Sequence, residues 1–354
     1  MNNHSTASQF VGMATGTTTD IKHPLWYKEP SAKTMEIAAM DSIDGVVVSD
    51  GQRGEPGFPA ADLKLTDAQI AAVKRSTWMS DEAKTEAQAK LAALKIEIGT
   101  PLRDLDYTVQ PMGRGSFGGN MLIASTWRHR EEMKRIGKGN ADRRWDVLPQ
   151  QPSLAYDLAQ NRLIVTAAIL QGPVFNAKAD AADKFGSFGG LVGHELTRAI
   201  DAKGALVDAK GELRSWWTPA DKTAWTLLGT RVATQYGAYE FPGVKGAKVN
   251  GTLTQEENLA DIAGLELAWA AYTAQEPKAK PAQQQGFFRA WSALWAQQLS
   301  PNEAVRRLTA DIRAPGLWRS NGTLANLPAF GATFSCKAGQ PMQRSEAEQI
   351  KVWR

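Results

Sequence analysis

The apolar positions along the chain fall into two regimes. Residues 1–63 show little periodicity and many turn formers, densest over 51–59, which predicts a loose leader with at most one short strand over 46–48. From Thr66 onward the spacing changes. Ile70, Val73 and Trp78, then Ala87, Leu91, Leu94 and Ile96, recur three or four residues apart, so helix is expected until Gly99 and Pro101 end it. A second helix is expected over 120–136, closed by Gly137, and the run Leu163, Ile164, Val165 predicts a strand over 161–166. Gly186, Gly189, Gly190 and Gly193 then permit close approach of a helix running through Ile200. Further helices are expected over 219–236, 255–274, 285–298 and 302–310, with caps at Thr218 and at Pro301 and Asn302. The pattern as a whole predicts a mainly α chain with a small β-sheet, an α+β class.

Composition narrows this picture. The 354 residues with 43% hydrophobic content suffice for one large or two ordinary domains. The net charge of +4 arises from 41 basic and 37 acidic residues spread through the chain, so no nucleic-acid partner is expected. The tryptophans at 216, 217, 225, 269, 291 and 295 fall at helical or near-helical spacing and predict core packing, not base stacking. No window approaches the roughly 18 consecutive apolar residues of a membrane span. Residues 1–20 lack the basic and apolar regions of a secretory signal, so a cytoplasmic location is expected for the chain as written. The single cysteine, Cys336, excludes an intrachain disulfide framework and is expected to be a small buried group. Gly113-Arg114-Gly115-Ser116-Phe117-Gly118 has the glycine spacing of a kinase phosphate loop, but the other kinase motifs do not follow it, so it reads as a plain loop.

Two short segments carry candidate chemistry. His194-Glu195-Leu196-Thr197-Arg198 contains the first imidazole and the glutamate of a His-Glu-x-x-His helix, in which two histidines one turn apart grip zinc and the glutamate polarises the metal-bound water. About sixty residues downstream, Glu257-Asn258-Leu259-Ala260-Asp261 sets a glutamate one helical turn before an aspartate, a spacing suited to a metal ligand and a carboxylate that braces a ligand histidine.

Taken together, these motifs resemble the neprilysin and endothelin-converting enzyme family of zinc metallopeptidases. Ordered matches extend the similarity over 66–354: Asn161 with Ala167-Ala168-Ile169-Leu170, the glycines before His194, Asp201, Gly211 with Trp216-Trp217, Gln235-Tyr236, Val249-Asn250-Gly251, Arg319 and the closing Val352-Trp353. The resemblance implies a thermolysin-like zincin catalytic domain over 120–354, with 64–119 the remnant and linker of a helical lobe that covers the active site in the family. Most of that lobe has no counterpart here, which implies a fragment, a shortened homologue or one piece of a split system. The surface the lobe would cover is then a candidate for association. Zinc is the family's cofactor, and relatives are usually exported or membrane-anchored.

Carried over by resemblance, His194 and Glu257 are zinc ligands, Glu195 is the general base, and Asp261 and Asp201 orient the two ligand histidines. Arg319 and the stretch Ser153, Leu154, Ala155 fall at substrate-binding positions. The chain departs from the family in four places. Arg198 stands at the second ligand, and a guanidinium has no lone pair to offer a metal. Asp201, about 10 Å beyond His194 along a helix, is too distant to replace it. Arg313 stands at the histidine that stabilises the oxyanion, although arginine also donates. Ser153 and Leu154 occupy the family's Asn-Ala pair, and a one-residue slip that keeps Ala155 still loses the asparagine. Finally, Ile350 takes the place of the cysteine that would pair with Cys336 in secreted members.

These residues predict a neprilysin-like homologue with zinc absent or weakly bound and peptide hydrolysis lost or strongly reduced, leaving a peptide-binding role. Two alternatives stand beside it. One is an active zinc endopeptidase with an atypical ligand set; the other is a binder of anionic small molecules or peptide C-termini through Arg198, Arg313 and Arg319.

Overall fold

A computed structural model describes residues 64–101, 111–137 and 145–353. The expected leader, with its strand over 46–48, lies outside these residues. The described part forms two compact units: one takes in 97–153 and 164–169, the other 64–96, 154–163 and 170–353.

The second unit opens with α1 (Leu65–Arg75) and α2 (Asp81–Ala92). Ser80 begins α2 by accepting from the Ala83 N–H at 3.2 Å, and Asp81 and Glu82 place negative charge at its N-terminus. The expected helical pattern does not continue to Ile96. Instead Lys95–Gly99 form strand β1, because Ile96 and Ile98 also satisfy a period of two and the Lys95 N–H bonds to the Asn161 carbonyl at 3.0 Å. Strands β2 (Leu154–Asp157) and β3 (Arg162–Thr166) complete a small sheet of order β1-β3-β2, with β3 buried along its whole length. In the first unit, α3 (Phe117–Met133) is capped by Ser116 and has no buried residue; Phe117 is 81% exposed.

The core of the second unit is helical. A short α4 (Ala181–Lys184) runs through a π-turn over Phe185–Gly189 into α5 (Gly190–Thr197). Beyond it come α6 (Pro219–Gly237), α7 (Gly251–Gln275), α8 (Pro281–Leu294) and α9 (Pro301–Ala310). Thr218 caps α6 in a reciprocal box with Asp221, whereas α9 is capped by Ser300 and not by the Pro301–Asn302 pair. Two further helices, α10 (Gly316–Leu324) and α11 (Pro328–Thr333), are too short to show a period in sequence.

Of the six tryptophans expected in the core, Trp216, Trp225 and Trp291 are buried and Trp217, Trp269 and Trp295 are half-buried. Trp291 is fully buried, and Trp217 lies 5.3 Å from Trp78 and 5.6 Å from Trp225 between ring centroids. The mainly helical architecture with a small mixed sheet matches the expectation. Cys336 is half-buried, not buried as expected, because it follows the last turn of α11 near the surface.

Candidate functional site

The crossing of α5 and α7 builds the site. At the contact two glycines face each other: a Cβ on Gly193 would lie 2.3 Å from the Gly264 carbonyl oxygen, and one on Gly264 only 2.2 Å from the His194 nitrogen. No other residue permits this approach. It brings one face of α5, carrying His194 and Arg198, against the face of α7 that carries Glu257 and Asp261. Asn250 starts α7 by accepting from Leu253 N–H at 3.0 Å, which sets the helical phase of both carboxylates.

α5 ends at Thr197 and not at Ile200. The N–H groups of Arg198, Ala199 and Ile200 bond three residues back instead of four, tightening the chain. Asp201 follows, its Oδ1 accepting from the N–H groups of Lys203 at 2.9 Å and Gly204 at 2.8 Å.

The resulting centre has two halves. In the first, His194 Nδ1 lies 2.7 Å from Asp261 Oδ1, and Arg319 grips the same carboxylate through Nε at 2.7 Å and Nη2 at 2.6 Å. The Arg319 guanidinium also lies over the Trp295 ring, 3.6 Å from its centroid. In the second, Arg198 donates through Nη2 to Glu257 Oε1 and through Nη1 to Asp201 Oδ2 at 3.1 Å. Arg313, half-exposed, places Nε 3.3 Å from Glu257 Oε2. His194 Nε2 faces this half, 3.4 Å from Arg198 Nη2 and 3.5 Å from Glu257 Oε2. Glu195 Oε2 accepts from the Tyr156 N–H of β2 at 3.1 Å.

Burial and charge oppose each other throughout. Burial disfavours charge on His194, but Asp261, Glu257 and Glu195 outweigh it and raise its pKa. Burial would raise Glu257, yet His194, Arg198 and Arg313 bring it down to about 2. Asp261 is likewise held low against its burial, chiefly by Arg319. Glu195 is raised by burial and by Glu257, with His194 and Arg198 pulling the other way.

Zinc places its nitrogen and oxygen ligands at about 2.0–2.2 Å, so two ligands of one tetrahedral ion lie about 3.3 Å apart. The 3.5 Å between His194 Nε2 and Glu257 Oε2 is close to that spacing. Beside this pair, however, stands Arg198 Nη2, 3.4 Å from His194 Nε2, which donates and cannot coordinate. Among the described residues no group of three or more His, Cys, Asp or Glu is placed to hold a metal. The residues present therefore do not fit a zincin zinc.

Of the other residues singled out in sequence, Leu154 and Ala155 lie on β2, which packs on α5. Ser153 belongs to the other unit, where its N–H donates to Thr166 Oγ1 at 2.9 Å. Arg198, Arg313 and Arg319 do converge, but each is paired with a carboxylate. Lys90, Trp295 and the Tyr156 N–H were not anticipated. Lys90 shares the buried face of α2 with Ala83, Ala87 and Leu91, a signal that its charge masked.

The profile of peptidase family M13 matches residues 155–350. The chain belongs to that family. Among M13 relatives it is 29% identical over 310 residues to endothelin-converting enzyme 1 of Bos taurus, covering 82% of this chain and 40% of that protein. It is 27% identical over 298 residues to human membrane metallo-endopeptidase-like 1, covering 78% of this chain and 38% of that protein. A Mycobacterium tuberculosis zinc metalloprotease, solved in complex with an inhibitor, superposes with a TM-score of 0.76 at 28% identity, over 83% of this chain and 46% of that one. The chain thus spans less than half the length of these M13 proteins. No described helix is long and apolar enough to cross a membrane.

Proposed function

We propose that this M13 chain retains the family's scaffold and a groove for peptides, and that zinc-dependent hydrolysis is lost or strongly reduced. One observation carries this reading: the Arg198 guanidinium stands beside His194 Nε2 and bonds Glu257, filling with a donor the place where a second imidazole would offer a lone pair. Loss of a dication would leave Glu195, Asp201, Glu257 and Asp261 crowded together. Arg198 supplies a tethered cation between two of them through charge-assisted hydrogen bonds. His194 and Glu257 are then former ligands, Glu195 and Arg313 stand at the catalytic positions, and Asp261 and Asp201 keep their bracing roles. Leu154, Ala155 and Ser153 remain the stretch proposed to meet peptide. Arg319 serves it indirectly, by fixing Asp261. The same reading treats 64–119 as lobe remnant and 120–354 as the peptidase domain.

The arginine-lined anion pocket gains no support, because its three guanidinium groups already face carboxylates. Metal analysis of the purified chain, paired with cleavage of a fluorogenic peptide with and without chelator, tests the proposal. Little zinc and no chelator-sensitive cleavage is the expected result. A tightly held stoichiometric zinc with chelator-sensitive cleavage overturns it in favour of an atypical ligand set.

A further inference from the structure

Lys90 is a fully buried lysine on α2 whose ammonium bonds none of the carboxylates of the centre described above. Its Nζ donates to the carbonyls of Gly204 at 2.8 Å and Val207 at 2.7 Å. Trp216 Nε1 donates to the same two carbonyls, at 3.0 and 3.2 Å. The indole has a single N–H to share between the two acceptors, and the ammonium completes their pairing at the cost of burying a charge. The turn it grips explains its presence. Gly204 presents its carbonyl to Lys90 and its N–H to Asp201 Oδ1 at 2.8 Å, while Asp201 Oδ2 accepts from Arg198 at 3.1 Å. The turn cannot slide, because even a Cβ on Gly204 would meet the Arg198 carbonyl oxygen at 2.5 Å and that of Ala199 at 2.4 Å. Burial lowers the Lys90 pKa to about 8, and the attraction of Asp201 and Asp208 limits the fall. The Tyr156 ring is the other group facing the ammonium, 5.8 Å from Nζ.

We propose that Lys90 is a positioning residue: through the Gly204 peptide and its charge, it holds the Asp201 carboxylate against Arg198 and so fixes the cation that stands at the second ligand position. This rests on the reading of Arg198 given above. A double-mutant cycle on chelator-treated protein tests it, with equilibrium unfolding of Lys90→Met and Arg198→Met singly and together. If Lys90 acts through Arg198, removing Arg198 shifts the unfolding constant about tenfold less in the Lys90→Met background than in the wild type. Crossed with Phe330→Leu, a change on α11 where the ring packs against Phe288 and Phe334, Lys90→Met should be additive.

NMR exchange of the Arg198 side-chain N–H provides a readout that loss of packing alone does not move. It should quicken about tenfold in Lys90→Met, yet stay near the wild-type rate in Trp216→Phe, which removes the neutral donor and keeps the charge. Where Lys90→Met fails to fold, Lys90→Gln keeps a donor, lacks the charge and takes its place in both measurements. Additivity with Arg198→Met, or unchanged Arg198 exchange in a folded Lys90 variant, overturns the proposal. Because both readouts use metal-free protein, they are independent of whether the untreated chain carries zinc, which the metal analysis decides separately.

Discussion

The two halves of the buried centre face the same imidazole and follow different rules. On the Asp261 side, a wholly buried carboxylate is saturated by His194 and a bidentate, ring-stacked Arg319. On the Glu257 side, one carboxylate is shared between Arg198 and a half-exposed Arg313. The first half is an orienting device that works with or without a metal. The second gathers the residues that the proposed reading treats as former ligands, and there Arg198 offers donors and no acceptor. On the proposed reading, a metal site loses its ion at one ligand while its bracing carboxylates stay in place, because a cation takes over their charge.

The largest test of this contrast acts on the Glu257 side. On the proposed reading, Arg198→His should raise zinc binding from little to stoichiometric, read by metal analysis and competition with a chromophoric chelator. Continued failure of a folded variant to bind zinc would show that more than one ligand has been lost. On the opposite side, Arg319→Met strips a buried carboxylate of its bidentate partner and should lower stability by about 3–5 kcal/mol in denaturant unfolding. A loss below about 1 kcal/mol would mean that the two halves are not distinct in kind.

Acid titration separates them further. Glu257 is held at about 2 against an ordinary 4.5, so its pairing stabilises the fold above pH 4.5 and is lost as pH falls through about 2. The shift corresponds to about 3 kcal/mol. Glu257→Gln should flatten the fall in stability across that window, and an unchanged slope would count against the pairing. The smallest effect is expected for Arg313→Ala, within about 1 kcal/mol because the guanidinium is half solvated.

Much of the helical architecture was legible. The α5 and α7 motifs stood out because His194 and Arg198, like Glu257 and Asp261, recur one helical turn apart, a spacing visible in the sequence itself. The α2–β1 boundary was not legible, since Leu94, Ile96 and Ile98 satisfy helical and strand periods alike until β3 pairs with β1. Lys90 was hidden for another reason. A lysine between alanines on a helix reads as solvated, and only the carbonyls of Gly204 and Val207, more than a hundred residues away, justify its burial.

By itself, then, the sequence determined the family and put an arginine, Arg198, one helical turn after His194, because both are written in residue types at local helical spacing. Only the tertiary structure decided what Arg198 does in that position. Whether a guanidinium reaches into solvent or bonds Glu257 and Asp201 depends on how closely α5 meets α7, and two facing glycines, seventy-one residues apart in the chain, set that distance.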